Sequence, residues 1–312
     1  MDAAAFTAIL DVSAPVLLLI VVGAFLRLRG SIDDAFISSG SRFVFAVGMP
    51  TLLFFSMQGA HFDQLISWHM PAYFALSILM TFGFAWWIAA RVGLPHQSRG
   101  AFIQVAFRGN TGVLSFALVV NMFGEEGMVI GGIMASITSI FFNILAELVF
   151  SRYQNNQDFR YGSLVKTIIR NPMILGVVAG ITANVVDLPV PSQVVATGKY
   201  LGGVTLPLAL LCVGASLAKS RFSLSKAMSL SIAIKTFISP VFFTCLAAWI
   251  GFSHHELLYL FLFLGSPVAA SAYVVAVSHG DDGRETANAI ATSTLLSSII
   301  LLFFAPLLLA WL

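Results

Sequence analysis

Long apolar runs alternate with short polar loops along the whole chain, and this pattern predicts a bundle of membrane-spanning helices. A helix needs roughly 20 apolar residues to cross the hydrocarbon core of a bilayer. Ten runs approach that length, which predicts an all-α polytopic membrane protein whose loops are too short for a soluble catalytic domain. The predicted spans are Ala8–Leu26, Ser38–Gln58, Met70–Ala90, Gly100–Phe123, Gly127–Phe150, Val165–Val186, Val195–Leu217, Ala227–Ile250, Leu257–Val277 and Thr286–Leu309.

Two of these spans are interrupted by residues that oppose a helix. The fourth contains Arg108-Gly109-Asn110-Thr111-Gly112, and the ninth contains Gly265-Ser266-Pro267. Glycine weakens a helix, and Asn and Thr side chains compete for its backbone hydrogen bonds. Since non-helical backbone at membrane depth is tolerated only inside protein or beside a polar cavity, we predict two broken helices that face a binding site.

The two breaks occupy corresponding places in an internal repeat. Matching residues recur at a nearly constant offset between residues 1–155 and 156–312: Pro15 with Pro172, Gly23 with Gly180, Arg42 with Lys199, Pro50 with Pro207, Gly109 with Gly265, and Thr138 with Thr294. Each half holds five predicted spans. Because five is an odd number, the halves are expected to have opposite orientations in the membrane, which makes them an inverted repeat.

Composition supports a membrane protein and excludes other classes. Hydrophobic residues make up 58% of the chain and charged residues 10%, against about 25% in soluble proteins, and the mean hydropathy is +0.93. The net charge of +2 is spread over short loops, so no nucleic-acid partner is expected. Cys212 and Cys245 lie in apolar runs and are interpreted as small buried residues. No metal site or cofactor is predicted.

Basic residues are concentrated in alternate loops, and this bias predicts the orientation in the cytoplasmic (inner) membrane. The loops predicted to be cytoplasmic hold Arg27, Arg29, Arg91, Arg99, Arg152, Arg160, Lys166, Lys219, Arg221, Lys226 and Arg284. With an even number of spans, both termini are then expected outside.

Several motifs resemble those of the auxin efflux carrier family, which includes the plant PIN transporters and bacterial organic-acid permeases. They are the run 109–112, Pro267 followed by Ala269 and the run 273–276, and Ser293-Thr294. The resemblance implies a fold like that of the sodium/proton antiporters, with spans four and nine crossing. It further implies a scaffold of spans 1, 2, 6 and 7, a moving transport domain of spans 3–5 and 8–10, a homodimer, and elevator-type alternating access.

The predicted substrate site follows from the breaks and the resemblance. Asn110 matches the asparagine of the family's crossing, and Pro267 matches its proline. Arg108 is the candidate for countering an anionic substrate, although it could equally pair with a group inside the bundle or extend towards the interface. The full set of predicted substrate-binding residues is Arg108, Gly109, Asn110, Thr111, Gly265, Ser266, Pro267 and Ser271.

A second set of residues is predicted to couple or support transport. Lys235 lies at membrane depth, where it could contact substrate or support the crossing, and Asp11 and Glu147 are acids near apolar segments. A proton-coupled carrier requires an acid that burial can hold protonated. Thr138, Ser293 and Thr294 are first interpreted as interhelical hydrogen-bonding residues, with contact to a cation or substrate as the second interpretation.

These features predict a secondary carrier of small organic anions such as carboxylates, with a proton or sodium ion as a possible further partner and the lipid bilayer as its surroundings. A sodium-coupled organic anion symporter is the close alternative, and a passive channel differs in lacking saturation. An intramembrane hydrolase built on Ser216 is the remote alternative, because the histidines cluster at loops and helix ends. The chain is therefore not expected to be an enzyme.

Overall fold

The computed structural model describes residues 3–59, 68–153, 169–218, 224–279 and 281–311, with side chains from residue 14 to 301 apart from 274 and 278. Within these ranges the fold is all-helical, and the one β-type contact is an isolated bridge. The helices are α1 (Ala3–Leu28), α2 (Asp34–Gln58), α3 (His69–Arg91), α4 (Ser98–Phe107), α5 (Thr111–Tyr153), α6 (Pro172–Val185), α7 (Ser192–Leu217), α8 (Lys226–Trp249), α9 (His254–Leu264), α10 (Ser271–Ser278) and α11 (Arg284–Trp311).

Five of the described helices, α2, α3, α5, α7 and α8, are long and apolar enough to cross a membrane. The segment Ala14–Leu28 and the helices α6 and α9 are apolar but shorter. The all-helical class and the membrane-spanning character agree with the sequence prediction. The count of ten spans and the inverted relation of the two halves stay predictions.

Proline explains why α2 and α8 each contain a wider, π-helical turn. The stretch Val44–Gly48 comes just before Pro50, and Ile234–Ile238 comes just before Pro240. A proline has no N–H to donate, and its ring clashes with the carbonyl four residues earlier. The turn widens, and the Ser239 N–H bonds to the carbonyl of Ile234, five residues back. Both helices therefore remain continuous through their prolines.

A sharp turn at Gly124 divides α5 into two parts. Its backbone angles are φ 57° and ψ −128°, which glycine adopts readily and other residues rarely do. The sequence prediction ended the fourth span at Phe123 and began the fifth at Gly127, so the turn lies between the two predicted spans.

The N-terminus of α6 is set by local chemistry. Pro172 takes the first helical position, where its missing N–H costs nothing. Asn171 caps the helix by accepting hydrogen bonds from Met173 N at 3.0 Å and Ile174 N at 3.4 Å. The predicted sixth span began at Val165, which lies outside the described residues. In the described chain the helix begins seven residues later, at Pro172.

Close backbone contact joins α1 to α7. Gly23 lies against the backbone of Leu211, and Gly214 lies against the backbone of Ile20, so that a Cβ at either position would overlap a carbonyl group. Small residues allow membrane helices to approach this closely and gain van der Waals contact. In the same part of the molecule α2 packs against α6 and α7. These four helices form one tightly packed group.

The short helices α4 and α9, which precede the two breaks, are buried on all sides. Every residue from Gly100 to Phe107 and from Leu257 to Leu264 is buried. A helix that is apolar all round belongs inside a protein core rather than on its surface. The two breaks that follow these helices therefore begin inside the protein, where non-helical backbone at membrane depth is tolerated.

We expect Gly214→Ala to destabilise the protein, because the added methyl group would overlap the Ile20 carbonyl. Overpacking of this kind costs about 1–3 kcal/mol. The matched control is Gly203→Ala in the same helix, where a Cβ would meet nothing within 4 Å. Thermal unfolding of purified protein in detergent measures both variants. Equal melting temperatures for the two would contradict the close α1–α7 contact.

Candidate functional site

The two breaks cross each other and exchange backbone hydrogen bonds. Asn110 N donates to Pro267 O at 2.6 Å, and Ala269 N donates to Arg108 O at 3.1 Å. Between these bonds Gly109 and Val268 form an isolated antiparallel bridge. Each break frees backbone groups that a buried helix would otherwise satisfy, and an unpaired group would be costly there. The exchange satisfies two of these N–H groups and two of these carbonyl groups.

Gly109 lies at the tightest point of the crossing. A Cβ at this position would overlap the Ser266 hydroxyl and would lie 3.0 Å from Cε and 3.1 Å from Nζ of Lys235. No side chain fits there unless Ser266 or Lys235 moves. Besides weakening the helix, as the sequence predicts, Gly109 makes room for the opposite break.

Arg108 is buried and holds three elements together. Its Nη1 donates to the Phe142 carbonyl at 3.0 Å, and its Nη2 donates to Asn143 Oδ1 at 3.3 Å. Nε and Nη2 also donate to Ser271 Oγ at 3.3 and 3.2 Å. The guanidinium group thus ties the end of α4 to the second part of α5 and to the start of α10. These contacts lie inside the bundle, and the role of Arg108 in countering an anionic substrate stays a prediction.

Lys235 reaches the crossing from the π-helical turn of α8. Its ammonium group donates to the Leu264 carbonyl at 2.6 Å and to Ser266 Oγ at 3.3 Å. Only 5% of the residue is exposed. Lys235 therefore contacts the last residue of α9 and the second break directly.

Both cations lack an acidic partner in the described part of the chain. The ion pairs found there join Arg27 to Asp34, His69 to Glu256 and His279 to Glu147, and none of them involves Arg108 or Lys235. A buried charge is costly unless it is paired or well hydrogen-bonded. The crossing consequently holds two buried basic side chains whose described partners are hydroxyl, amide and carbonyl groups.

Hydroxyl groups fasten the crossing to neighbouring helices. Thr111 and Thr138 share a hydrogen bond of 2.8 Å, and Val268 N donates to Ser293 Oγ at 3.0 Å. Thr294 Oγ1 donates to the Ile290 carbonyl of its own helix at 2.7 Å. Interhelical hydrogen bonding, the first interpretation of these residues, matches the contacts of Thr138 and Ser293.

A cavity of about 90 Å³ lies between the crossing and the helices α2 and α7. Asn110 and Ala270 border it beside the N-terminal ends of α5 and α10. The Asn110 side chain does not cap α5, and no hydrogen bond ties it to another described residue. Its amide is therefore available to a ligand. The lining residues are Ser41, Val44, Phe45, Asn110, Val113, Ala209, Cys212, Val213, Ser216, Leu217, Ala270, Ile290, Ala291 and Thr294.

The predicted site residues divide into three groups. Asn110 and Thr294 line the cavity. Arg108, Gly109, Thr111, Gly265, Ser266, Pro267, Ser271, Lys235, Thr138 and Ser293 build or fasten the crossing beside it. Glu147 lies outside both groups and pairs with His279 at 3.3 Å, and the side chain of Asp11 lies outside the described residues.

Three residues near the site were not found from the sequence. Ser41 and Cys212 line the cavity from α2 and α7. The signal for Cys212 is helical spacing, because Cys212 and Ser216 are four residues apart on one face of an otherwise apolar helix. Gln104, one turn before Arg108, is fully buried, and its amide has no hydrogen-bond partner in the described part of the chain.

The remote hydrolase alternative gains no support from this geometry. Ser216 Oγ lines the cavity and donates to the Cys212 carbonyl at 2.8 Å. Among the described residues that line the cavity there is no histidine to act as a base.

We expect Arg108→Lys to destabilise the protein although the charge is retained. A lysine ammonium cannot reach the separate acceptors on Phe142, Asn143 and Ser271 that the planar guanidinium group joins. Hydrogen bonds to charged groups contribute about 1.5–3 kcal/mol each. Thermal unfolding measures the loss, with the exposed Arg284→Lys as the matched control. An Arg108→Lys variant as stable as this control would contradict the three-way tie.

Comparisons with known proteins find similarity to membrane transporters. A family described as "Membrane transport protein" matches residues 8–305. An uncharacterized transporter of Methanocaldococcus jannaschii is 24% identical over 317 residues, covering 96% of this chain and 99% of the relative. An uncharacterized transporter of Methanothermobacter thermautotrophicus is 25% identical over 291 residues, covering 92% of this chain and 94% of the relative.

Proposed function

The chain belongs to the membrane transport protein family, the auxin efflux carriers that its motifs resemble, and from this premise we propose that it is a secondary carrier of small organic anions such as carboxylates. The observation that carries the proposal is the crossing itself, which holds two buried basic side chains without a described acidic partner and whose Asn110 lines a cavity.

Electrostatics favour an anion over a cation in this cavity. The N-terminal end of a helix carries a partial positive charge of roughly half an elementary charge. Two such ends, those of α5 and α10, begin next to the cavity at Thr111 and Ser271. The Arg108 guanidinium group, and Lys235 when it is protonated, add to this positive field at the crossing. A carboxylate would lower the energy of this arrangement, whereas a cationic substrate would raise it.

The Asn110 amide gives the site N–H donors that suit a carboxylate. Ser216 and Thr294 lie in the same lining, but their hydroxyl groups already donate to the carbonyls of Cys212 and Ile290. Most other lining side chains are apolar and keep water from competing for the Asn110 donors. Substrate recognition at Asn110 is thus our interpretation of the cavity, with Arg108 acting through its field and through the position it gives Ser271.

The place of the cavity supports an elevator-type movement. It lies between α2 and α7, which belong to the tightly packed group with α1 and α6, and the crossing on its other side. We propose that this group is the fixed scaffold, formed by spans 1, 2, 6 and 7 of two inverted five-helix repeats, and that spans 3–5 and 8–10 form the moving domain. The homodimer, the cytoplasmic membrane and the outward termini belong to the same proposal.

Carboxylate binding tests the proposal directly. We expect one or more members of a panel of mono- and dicarboxylates to raise the melting temperature of the purified protein, since a ligand at 100 times its Kd stabilises by about 2.7 kcal/mol. Asn110→Ala should weaken that binding by about tenfold or more, because a hydrogen bond to a charged group is lost.

The matched control is Asn121→Ala, an exposed asparagine of α5 that does not line the cavity. This variant should bind as the unmodified protein does. If the carboxylate stabilises the Asn110→Ala variant equally well, the anion binds elsewhere and the crossing is not the substrate site.

Flux measurements separate a carrier from a channel. In liposomes that contain the purified protein, uptake of the stabilising carboxylate should saturate with concentration and should fall sharply in the Asn110→Ala variant. A carrier has one site to load in each cycle, so its flux has a maximum, whereas flux through an open pore rises in proportion to concentration. Linear, unsaturated uptake would contradict the proposal.

A further inference from the structure

The carbonyl end of α9 is buried at the crossing and requires compensation. Leu264 is the last residue of this helix, and Gly265 follows it into the second break. The last carbonyls of a helix have no partner within it and carry a partial negative charge of roughly half an elementary charge. In a buried break such an end has to be met by donors or by a cation.

The group that meets this end is the Lys235 ammonium. It donates to the Leu264 carbonyl at 2.6 Å and also reaches Ser266 Oγ in the break. The residue is 5% exposed, and none of the ion pairs in the described part of the chain involves it. Its charge is therefore directed at the helix end and the break rather than at an acid.

We propose that Lys235 is a built-in countercation of the broken helix, held in the position where a mobile cation such as sodium would otherwise neutralise the carbonyl end of α9. A covalently attached ammonium group stays with the helix throughout the cycle. The protein then needs no sodium ion to stabilise the crossing, and substrate movement does not require sodium. The statement that substrate movement does not require sodium rests on the proposed function, whereas the statement on the stability of the crossing does not.

The surroundings of Lys235 would suit a small cation if the side chain were absent. A small cavity beside it is lined by the hydroxyl-bearing residues Thr81, Thr111 and Ser239 and by Leu264, together with the apolar side chains of Phe74, Ile78, Ala106, Phe107, Phe142 and Phe263. Small hard cations are bound by oxygen atoms of carbonyl and hydroxyl groups. This cavity measures about 10 Å³, close to the minimum that one water molecule needs. The lysine side chain occupies the space beside it that an ion would take.

Cation dependence of stability in detergent tests the inference without any substrate. The melting temperature of the unmodified protein should be the same in sodium chloride and in choline chloride at equal concentration. Lys235→Ala should lose stability in choline and regain part of it in sodium or ethylammonium chloride. That rise should be about 2–4 °C when the cation is about tenfold above its Kd.

Two variants serve as controls for this measurement. Lys235→Met fills most of the same volume without a charge, so its melting temperature should be low and equal in all three salts. Lys199→Met removes an exposed lysine of α7 and should behave as the unmodified protein does. If Lys235→Ala cannot be purified, Lys235→Ser replaces it, because the serine hydroxyl group supplies a polar atom near the break.

Two results would overturn the inference. One is sodium-dependent stabilisation of the unmodified protein, which would mean that a mobile cation still binds. The other is a Lys235→Ala or Lys235→Ser variant with the same melting temperature in choline, sodium and ethylammonium, which would mean that the ammonium charge is not what the helix end requires.

A transport measurement extends the test to the cycle. Carboxylate uptake into liposomes should be unchanged when choline replaces sodium on both sides. Uptake that requires sodium would overturn the inference, while a complete lack of carboxylate uptake would overturn the proposed function and leave the stability result standing.

Discussion

The exchange of backbone hydrogen bonds between the two breaks is the constraint on which the rest of the site depends. Asn110 N bonds to Pro267 O, and Ala269 N bonds to Arg108 O, so each break satisfies groups that the other leaves unpaired. A single break in this buried position would leave polar backbone groups without partners at a cost of several kcal/mol. The two breaks are therefore stable only together, and residues far apart in the chain form one structural unit.

The two buried cations stabilise this unit in different ways. Arg108 spreads its planar donors over two helices, through Phe142, Asn143 and Ser271, and so fixes where α4 ends relative to α5 and α10. Lys235 places a compact charge at the end of α9. The division follows the chemistry of the side chains, because guanidinium joins several separate acceptors and ammonium behaves as a point charge. With both cations engaged beside the crossing, Asn110 is left to face the cavity.

Much of this arrangement was predictable because it depends on local sequence. Glycine, asparagine and threonine within an apolar run predict a break in the helix from the local sequence alone. The polar residues after Gly124 likewise predict the boundary between the fourth and fifth spans, and the structure has a sharp turn at Gly124. The partners of Arg108 were not predictable in the same way. One is the Phe142 carbonyl, which any residue would offer, and only the tertiary fold brings it close. The same holds for Ser41 and Cys212, whose helices meet at the cavity through long-range packing.

The polar ties of the crossing also bear on how such a unit could move. The bonds from Arg108, Lys235 and Thr111 all end on α5, α9, α10 or the second break, and none of them reaches α1, α2, α6 or α7. Towards α2 and α7 the crossing presents instead a largely apolar cavity wall. One hydrogen bond of 2.6 Å, from Asn171 at the start of α6 to Ser139 of α5, does join the two groups. Apolar contacts can slide without leaving polar groups unpaired, so displacement of the crossing would have to break or replace this bond while the internal ties stay intact.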